Sequence, residues 1–171
     1  MMNMKRLLFT LVIAVAAILP ANAQKIGFID TDSVLNALPD YQSAVKKLDA
    51  QAEQYRQQLD ADLQVIDQIY NAYQNQKARL TTAQRTNVEN DIIEREQQLK
   101  QKQEQYFGAE GVMAKNSEKL LSPIRSRVEK AVSQYAAANG YSLILDLAVV
   151  GGVVYKKDSD EITGAIIKML K

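Results

Sequence analysis

Residues 41–80 read YQSAVKKLDAQAEQYRQQLDADLQVIDQIYNAYQNQKARL. Within them Tyr41, Val45, Leu48, Ala52, Tyr55, Leu59, Leu63, Ile66, Tyr70 and Tyr73 recur at steps of four and three, the spacing that lines one stripe of a helix. One step, Leu59 to Leu63, breaks the alternation and predicts a stutter in a coiled-coil seam. The periodicity pauses at Thr81-Thr82-Ala83-Gln84 and resumes at Val88, after which Ile92, Leu99, Tyr106, Met113 and Leu120 stand seven apart. Two arms, about 41–80 and 84–122, each span about 60 Å at about 1.5 Å per residue. Equal arms across a short polar turn predict an antiparallel hairpin, whereas a continuous rod would leave the stripe without a partner. The returning arm reads as the looser one. Its second heptad position falls near Arg95 or Glu96, Lys102 or Gln103, Ala109 or Glu110, and Asn116 or Ser117, which are mostly polar, and Gly108 and Gly111 add backbone freedom. Pro123 is expected to kink the helix or to start a new one capped by Ser122.

Outside the arms, Lys25–Asp30 reads as a short strand, followed by a short helix with N-cap chemistry in Thr31-Asp32-Ser33. Beyond Pro123 a fuller stripe, Ile124, Val128, Ala131, Val132 and Tyr135, ends at Asn139-Gly140, a helix stop. Residues 141–147 and 152–156 read as two strands joined around Gly151-Gly152. Asp158 with Glu161 predicts a capping box for a last helix bearing Ile162, Ile166, Met169 and Leu170. The expected class is α+β: a small β-containing body from both chain ends, 24–40 and 123–171, with a helical hairpin, 41–122, inserted. A body of this size is marginal for a core of its own and is expected to be completed by oligomerisation, through Ile26, Phe28, Ile144, Leu145, Val153 and Val154.

The N-terminus predicts export. Lys5 and Arg6 precede the apolar run Leu7–Leu19, which leads to Pro20 and Ala21-Asn22-Ala23, the pattern of a secretory signal cleaved after Ala23. This thirteen-residue run is shorter than the roughly 20 residues of a spanning helix. Of the whole chain's 171 residues none is Cys or His, and the formal charge is +1; loss of Lys5 and Arg6 makes it −1. Imidazole and thiol chemistry are thereby excluded, as are Cys/His metal sites, and bulk charge offers no pull toward nucleic acid. No cofactor is expected. Ser43-Ala44-Val45-Lys46 matches an S-x-x-K pattern without any accompanying catalytic motif, and Asp30/Asp32 and Asp158/Asp160 read as helix caps rather than calcium ligands.

The signal, KIGFIDTDSVLNALPDYQSAVKKLDA, the long polar hairpin and the closing IRSRVEKAVSQYAAANGYSLILDLAVVGGVVYKKDSDEITGAIIKMLK together resemble the Skp/OmpH family of periplasmic chaperones. The resemblance covers the whole mature chain. It implies a homotrimer in which strands of three chains form a central body and three hairpins surround a cavity. It also implies the function: holding unfolded outer-membrane proteins in the periplasm without ATP. Familiar members are strongly basic, as suits contact with membrane surfaces or lipopolysaccharide, and the −1 of this mature chain departs from that. A structural coiled-coil spacer of the envelope is the alternative, and a hydrolase is disfavoured by the missing His and Cys.

Two sets of arm residues are singled out. Between Gln68 and Val88 the charged residues are Lys77, Arg79 and Arg85, all positive, a basic tip able to meet acidic client segments or phosphate headgroups. Val65 and Ile69 widen the stripe of the first arm, and Ile93 and Phe107 that of the second. With a turn near residue 82, facing positions sum to about 164, which sets Val65 near Leu99, Ile69 near Arg95 and Ile93 near Asn71. These four are the expected client contacts, whereas Tyr41, Tyr55, Tyr70, Tyr73 and Tyr106 read as packed seam residues.

Overall fold

The computed structural model describes residues 24–171; the expected signal peptide lies outside them. Strand β1, Lys25–Ile29, runs into a short helix α1, Thr31–Asn36. Its cap is Asp30 rather than Thr31: the carboxylate accepts from the Ser33 amide at 2.9 Å and the Ser33 hydroxyl at 2.6 Å, and these bonds hold its pKa below the usual value. Pro39 then opens α2, Pro39–Gln76, where its missing N–H costs nothing. After a 3-10 turn, Lys77–Arg79, helix α3 runs Thr82–Phe107. A capping box starts it, with Thr81 and Gln84 each taking the other's backbone amide. That T-x-x-Q signature lies inside the expected connection and fixes where the turn ends.

Helix α3 stops at Phe107, and α4 resumes at Val112 and continues to Asn139. The break in the returning arm thus falls at Gly108–Gly111, and Ser122 and Pro123 sit inside α4 instead of starting a helix. Proline removes the amide that would serve the Lys119 carbonyl, and Lys119 is exposed, so water can replace it. Glycine is needed at the break: a Cβ on Gly108 would clash with the Glu104 carbonyl oxygen. Helix α4 ends on Gly140 at φ 70°, the left-handed region open to glycine.

Strand β2, Tyr141–Asp146, pairs in parallel with β1 from Lys25↔Tyr141 to Ile29↔Asp146. A parallel pair needs a long crossover, and here the entire hairpin is that crossover. Further bonds fasten the chain ends beside it. Thr31 donates its hydroxyl to Asp146 at 2.6 Å, the Asp30 amide bonds Thr163 Oγ1 at 2.9 Å, and the Ile162 amide bonds the Phe28 carbonyl at 2.8 Å. Helix α5, Thr163–Leu170, closes the body.

The second expected strand, 152–156, is absent: Val149–Tyr155 is an exposed loop without ladder bonds, with Val154 99% and Tyr155 83% exposed. Its β-branched run has the local signature, but among the described residues no strand edge lies beside it. The expected capping box at Asp158 and Glu161 is also absent. Those residues form a 3-10 turn and its exit, α5 begins without a side-chain cap, and Glu161 instead binds Lys156.

The main core contains Ile29, Val34, Leu38, Ala44, Leu48, Leu121, Ile124, Val128, Ala131, Ile162 and Ile166. It crosses the expected boundaries at 40 and 123, because the base of the hairpin supplies Ala44, Leu48 and Leu121. By borrowing this surface the small body obtains a core within one chain. Ile166 and Val34 are fully enclosed.

Truncating Ile166 to Ala should therefore cost roughly 2–5 kcal/mol in urea unfolding. The Lys156 ammonium lowers the Glu161 pKa, and Glu161 raises that of Lys156. Because the acid is depressed in the fold, its contribution is intact at neutral pH and lost as pH falls through its lowered folded value. The lysine's contribution is lost only as pH rises through its raised folded value. Melting followed by circular dichroism should show the acid decline, and Glu161→Gln should flatten it.

Candidate functional site

The hairpin seam keeps a regular heptad. On α2, Ala52, Ile66 and Tyr73 are buried and Leu59 half-buried; on α3, Ile92 is buried and Leu99 and Tyr106 are half-buried. The other seam position on α2 falls on Leu48, Tyr55, Asp62 and Ile69, which are likewise seven apart. No stutter is needed. The seam passes through Asp62, and Leu63, the expected seam residue, is turned outward at 46% exposure. Tyr70 follows Leu63 by one heptad and is exposed as well, against its expected packing.

Polar residues fill the middle of the seam. Lys102 Nζ meets Asp62 Oδ2 at 2.6 Å, and Asp62 raises the lysine pKa. Tyr106 donates to Gln58 at 3.0 Å, and Asn116 to Gln51 at 2.8 Å. The Asp62–Lys102 pair, with half-exposed side chains, is worth little in stability. Arm cohesion comes from two apolar ends. One is the body core. The other is a distal cluster of Ile66, Tyr73 and Ile92, backed by Ile69, Leu80, Val88 and Leu99, in which the Tyr73 hydroxyl binds Glu89 and has a raised pKa for that reason.

Between these ends, next to the Gly108–Gly111 break, stands an aromatic group. Tyr55 stacks on Tyr106 with centroids 4.1 Å apart and meets Phe107 edge-on at 6.3 Å, while the Arg56 guanidinium lies 5.9 Å from the Phe107 ring centre. Such contacts are worth about 0.5–1.5 kcal/mol each beyond their buried area.

The four expected client contacts divide between two flanks. At about 100° per residue, Val65 and Ile69 lie on the side of the seam that carries Asp62, as do Arg95, Gln98 and Lys102 of α3. There Val65, itself exposed, lines a shallow groove together with Asp62, Ile66, Arg95, Gln98, Leu99 and Lys102. Ile69 is half-buried in the distal cluster. Ile93 and Phe107 lie on the opposite side, 51% and 38% exposed, with Leu63 and Tyr70. The Arg56–Phe107 contact fixes that flank on both helices. Leu63 and Tyr70 were readable as off-seam from the heptad through Leu48, Tyr55, Asp62 and Ile69, had Asp62 been accepted as a seam residue.

At the tip, Lys77 and Arg79 are exposed, and Lys77 lies 5.3 Å from the Tyr73 ring centre. Arg85 is half-buried and donates Nε to the Leu80 carbonyl at 3.2 Å, so it holds the turn together. Of the expected oligomerisation residues, Phe28, Ile144 and Leu145 are half-buried in the paired strands, while Ile26, Val153 and Val154 are exposed. Among the described residues nothing pairs with the outer edge of β2.

A family model described as "Outer membrane protein (OmpH-like)" matches residues 25–170. The chain belongs to this OmpH-like family. Curated relatives of this OmpH-like chain include the protein named "Chaperone protein Skp" of Yersinia enterocolitica, 26% identical over 162 residues and 93% of each chain. Another of the same name, from Photorhabdus luminescens, is 23% identical over 174 residues, covering 98% of this chain and all of the relative. The fold matches a crystal structure of an OmpH-like outer membrane chaperone from Caulobacter crescentus CB15 with a TM-score of 0.66 at 14% identity, over 86% of this chain and 84% of that one.

Two substitutions separate seam from flank. Ile69→Asp places a charge in the distal cluster and should cost roughly 1–3 kcal/mol, seen as faster amide exchange between residues 62 and 99. Ile93→Asp should leave exchange there unchanged.

Proposed function

We propose that this protein is an ATP-independent periplasmic holdase that keeps unfolded outer-membrane proteins from aggregating before insertion, working as a homotrimer. The observation that carries the reading is the pairing of OmpH-like family membership with a long, weakly cemented arm. Exposed apolar side chains are spaced singly along it, Leu63, Tyr70, Ile93 and Phe107 on one flank and Val65 on the other. Scattered contacts of this kind can grip many sequences without forming a patch large enough to drive self-aggregation. The oligomer is supported by the body. The open edge of β2 and the exposed Ile26, Leu143, Val149, Val153, Val154 and Tyr155 are surfaces that a second and a third copy can cover, with 152–156 forming a strand only against a neighbouring chain.

At the tip, Lys77 and Arg79 support a weak contact with a membrane surface or lipopolysaccharide. With only two exposed cations at each tip the contact is salt-sensitive and much weaker than that of a strongly basic protein. The reading assigns no catalytic residue and no cofactor.

A urea-denatured outer-membrane β-barrel protein diluted into buffer scatters light as it aggregates. An equimolar amount of assembled trimer should suppress that scattering without nucleotide, and native mass spectrometry should show one client per trimer. Undiminished scattering would favour the envelope spacer instead. Val154→Lys should shift the mass toward monomer.

A further inference from the structure

The middle of the arm, residues 51–67 and 89–111, carries ten acidic side chains against four basic ones. The two flanks treat this charge differently. On the Val65 flank two of three acids are answered by cations within the chain, Asp62 by Lys102 at 2.6 Å and Asp91 by Arg95 at 3.0 Å, and the third, Glu94, accepts from the Gln98 amide at 3.0 Å. On the opposite flank lie Asp60, Asp67, Glu96 and Glu104, and among the described residues none of the four is in an ion pair. Glu53 there meets Arg56 at 3.7 Å, leaving Lys100 as the remaining cation of that flank.

That same flank carries the apolar row. Tyr70 and Ile93 face each other at one level, Leu63 lies about 10 Å nearer the body, and Phe107 about 9 Å beyond it, at about 1.5 Å per helical residue. Apolar points about 20 Å end to end, set among unpaired carboxylates, complement an extended segment of about six residues that alternates apolar side chains with Lys or Arg.

We infer that the Leu63–Tyr70–Ile93–Phe107 flank is the client-docking face of the arm and that it selects cationic, apolar extended segments over acidic ones. This rests on the holdase reading and gives it a direction. The Val65 flank, where Asp62, Asp91 and Glu94 stand against Arg95 and Lys102, is the less charged of the two and is the outer side of the arm. Preference for basic segments belongs to the arm's middle, and the positive tip opposes it.

The test uses the assembled mature protein and two fluorescent synthetic peptides of equal length and apolar content, one with Lys and one with Glu at every polar position. By fluorescence anisotropy at low salt the Lys peptide should bind about tenfold more tightly, with the gap closing as salt rises. The Asp60→Asn, Asp67→Asn, Glu96→Gln triple variant replaces exposed, unpaired carboxylates and should abolish most of that gap. Leu63→Ser with Ile93→Ser should weaken both peptides at least threefold, and Val65→Ser should weaken neither. Equal or tighter binding of the Glu peptide overturns the charge selection. A Val65→Ser loss equal to that of the Leu63 and Ile93 variant overturns the flank assignment. The aggregation assay is read separately. Peptide discrimination without suppression of barrel-protein aggregation refutes the holdase reading and leaves the docking face standing, while suppression without discrimination does the reverse.

Discussion

Parallel pairing of Lys25–Ile29 with Tyr141–Asp146 is the constraint on which the rest of the molecule depends. A short parallel ribbon is a weak unit alone. It holds because its ends are bonded again at Thr31–Asp146, Asp30–Thr163 and Phe28–Ile162, and because α1, α4 and α5 bury Val34, Val128 and Ile166 beside it. Once two segments more than 110 residues apart in sequence are fixed side by side, everything between must leave the body and return to it. The reach of the hairpin is then set only by where the chain turns.

Stability is distributed along the arm accordingly. Apolar seam residues concentrate at the base and beyond Ile66, while the middle is joined by Asp62–Lys102, hydrogen-bonded glutamines and one aromatic group. A continuous leucine seam would make a stiffer rod, but it would leave less reason for apolar residues to stand outside the seam. Here Leu63 is outside while Asp62 occupies the inside. The arm trades cohesion for exposed contact surface within a single heptad.

Much of this was legible in the residues, and what was missed has physical causes. Two equal heptad arms predict the hairpin, and a facing sum near 164 agrees with the Asp62–Lys102 and Gln58–Tyr106 contacts. Asn139-Gly140 marks a helix end that the left-handed Gly140 realises. The flanks were not legible, because a rule that seeks apolar residues passes over a charged seam residue and so misplaces Leu63 and Tyr70. The 152–156 run was misread for the opposite reason: β propensity is local, whereas a strand needs an edge to pair with. Pro123 looked like the breaker, but a proline whose orphaned carbonyl belongs to an exposed residue is tolerable, whereas Gly108 and Gly111 sit where a side chain could not.

That break has a mechanical consequence. Helix α2 is unbroken from Pro39 to Gln76, while its neighbour is interrupted at Gly108–Gly111, so the arm is a two-member beam with one member notched. Such a beam is not equally compliant in all directions. It yields most readily in the plane containing both helices, about the intact member, as the notch widens or closes. The part beyond the notch moves with its own small core intact, so the arm changes its angle while the spacing of side chains along each half stays constant.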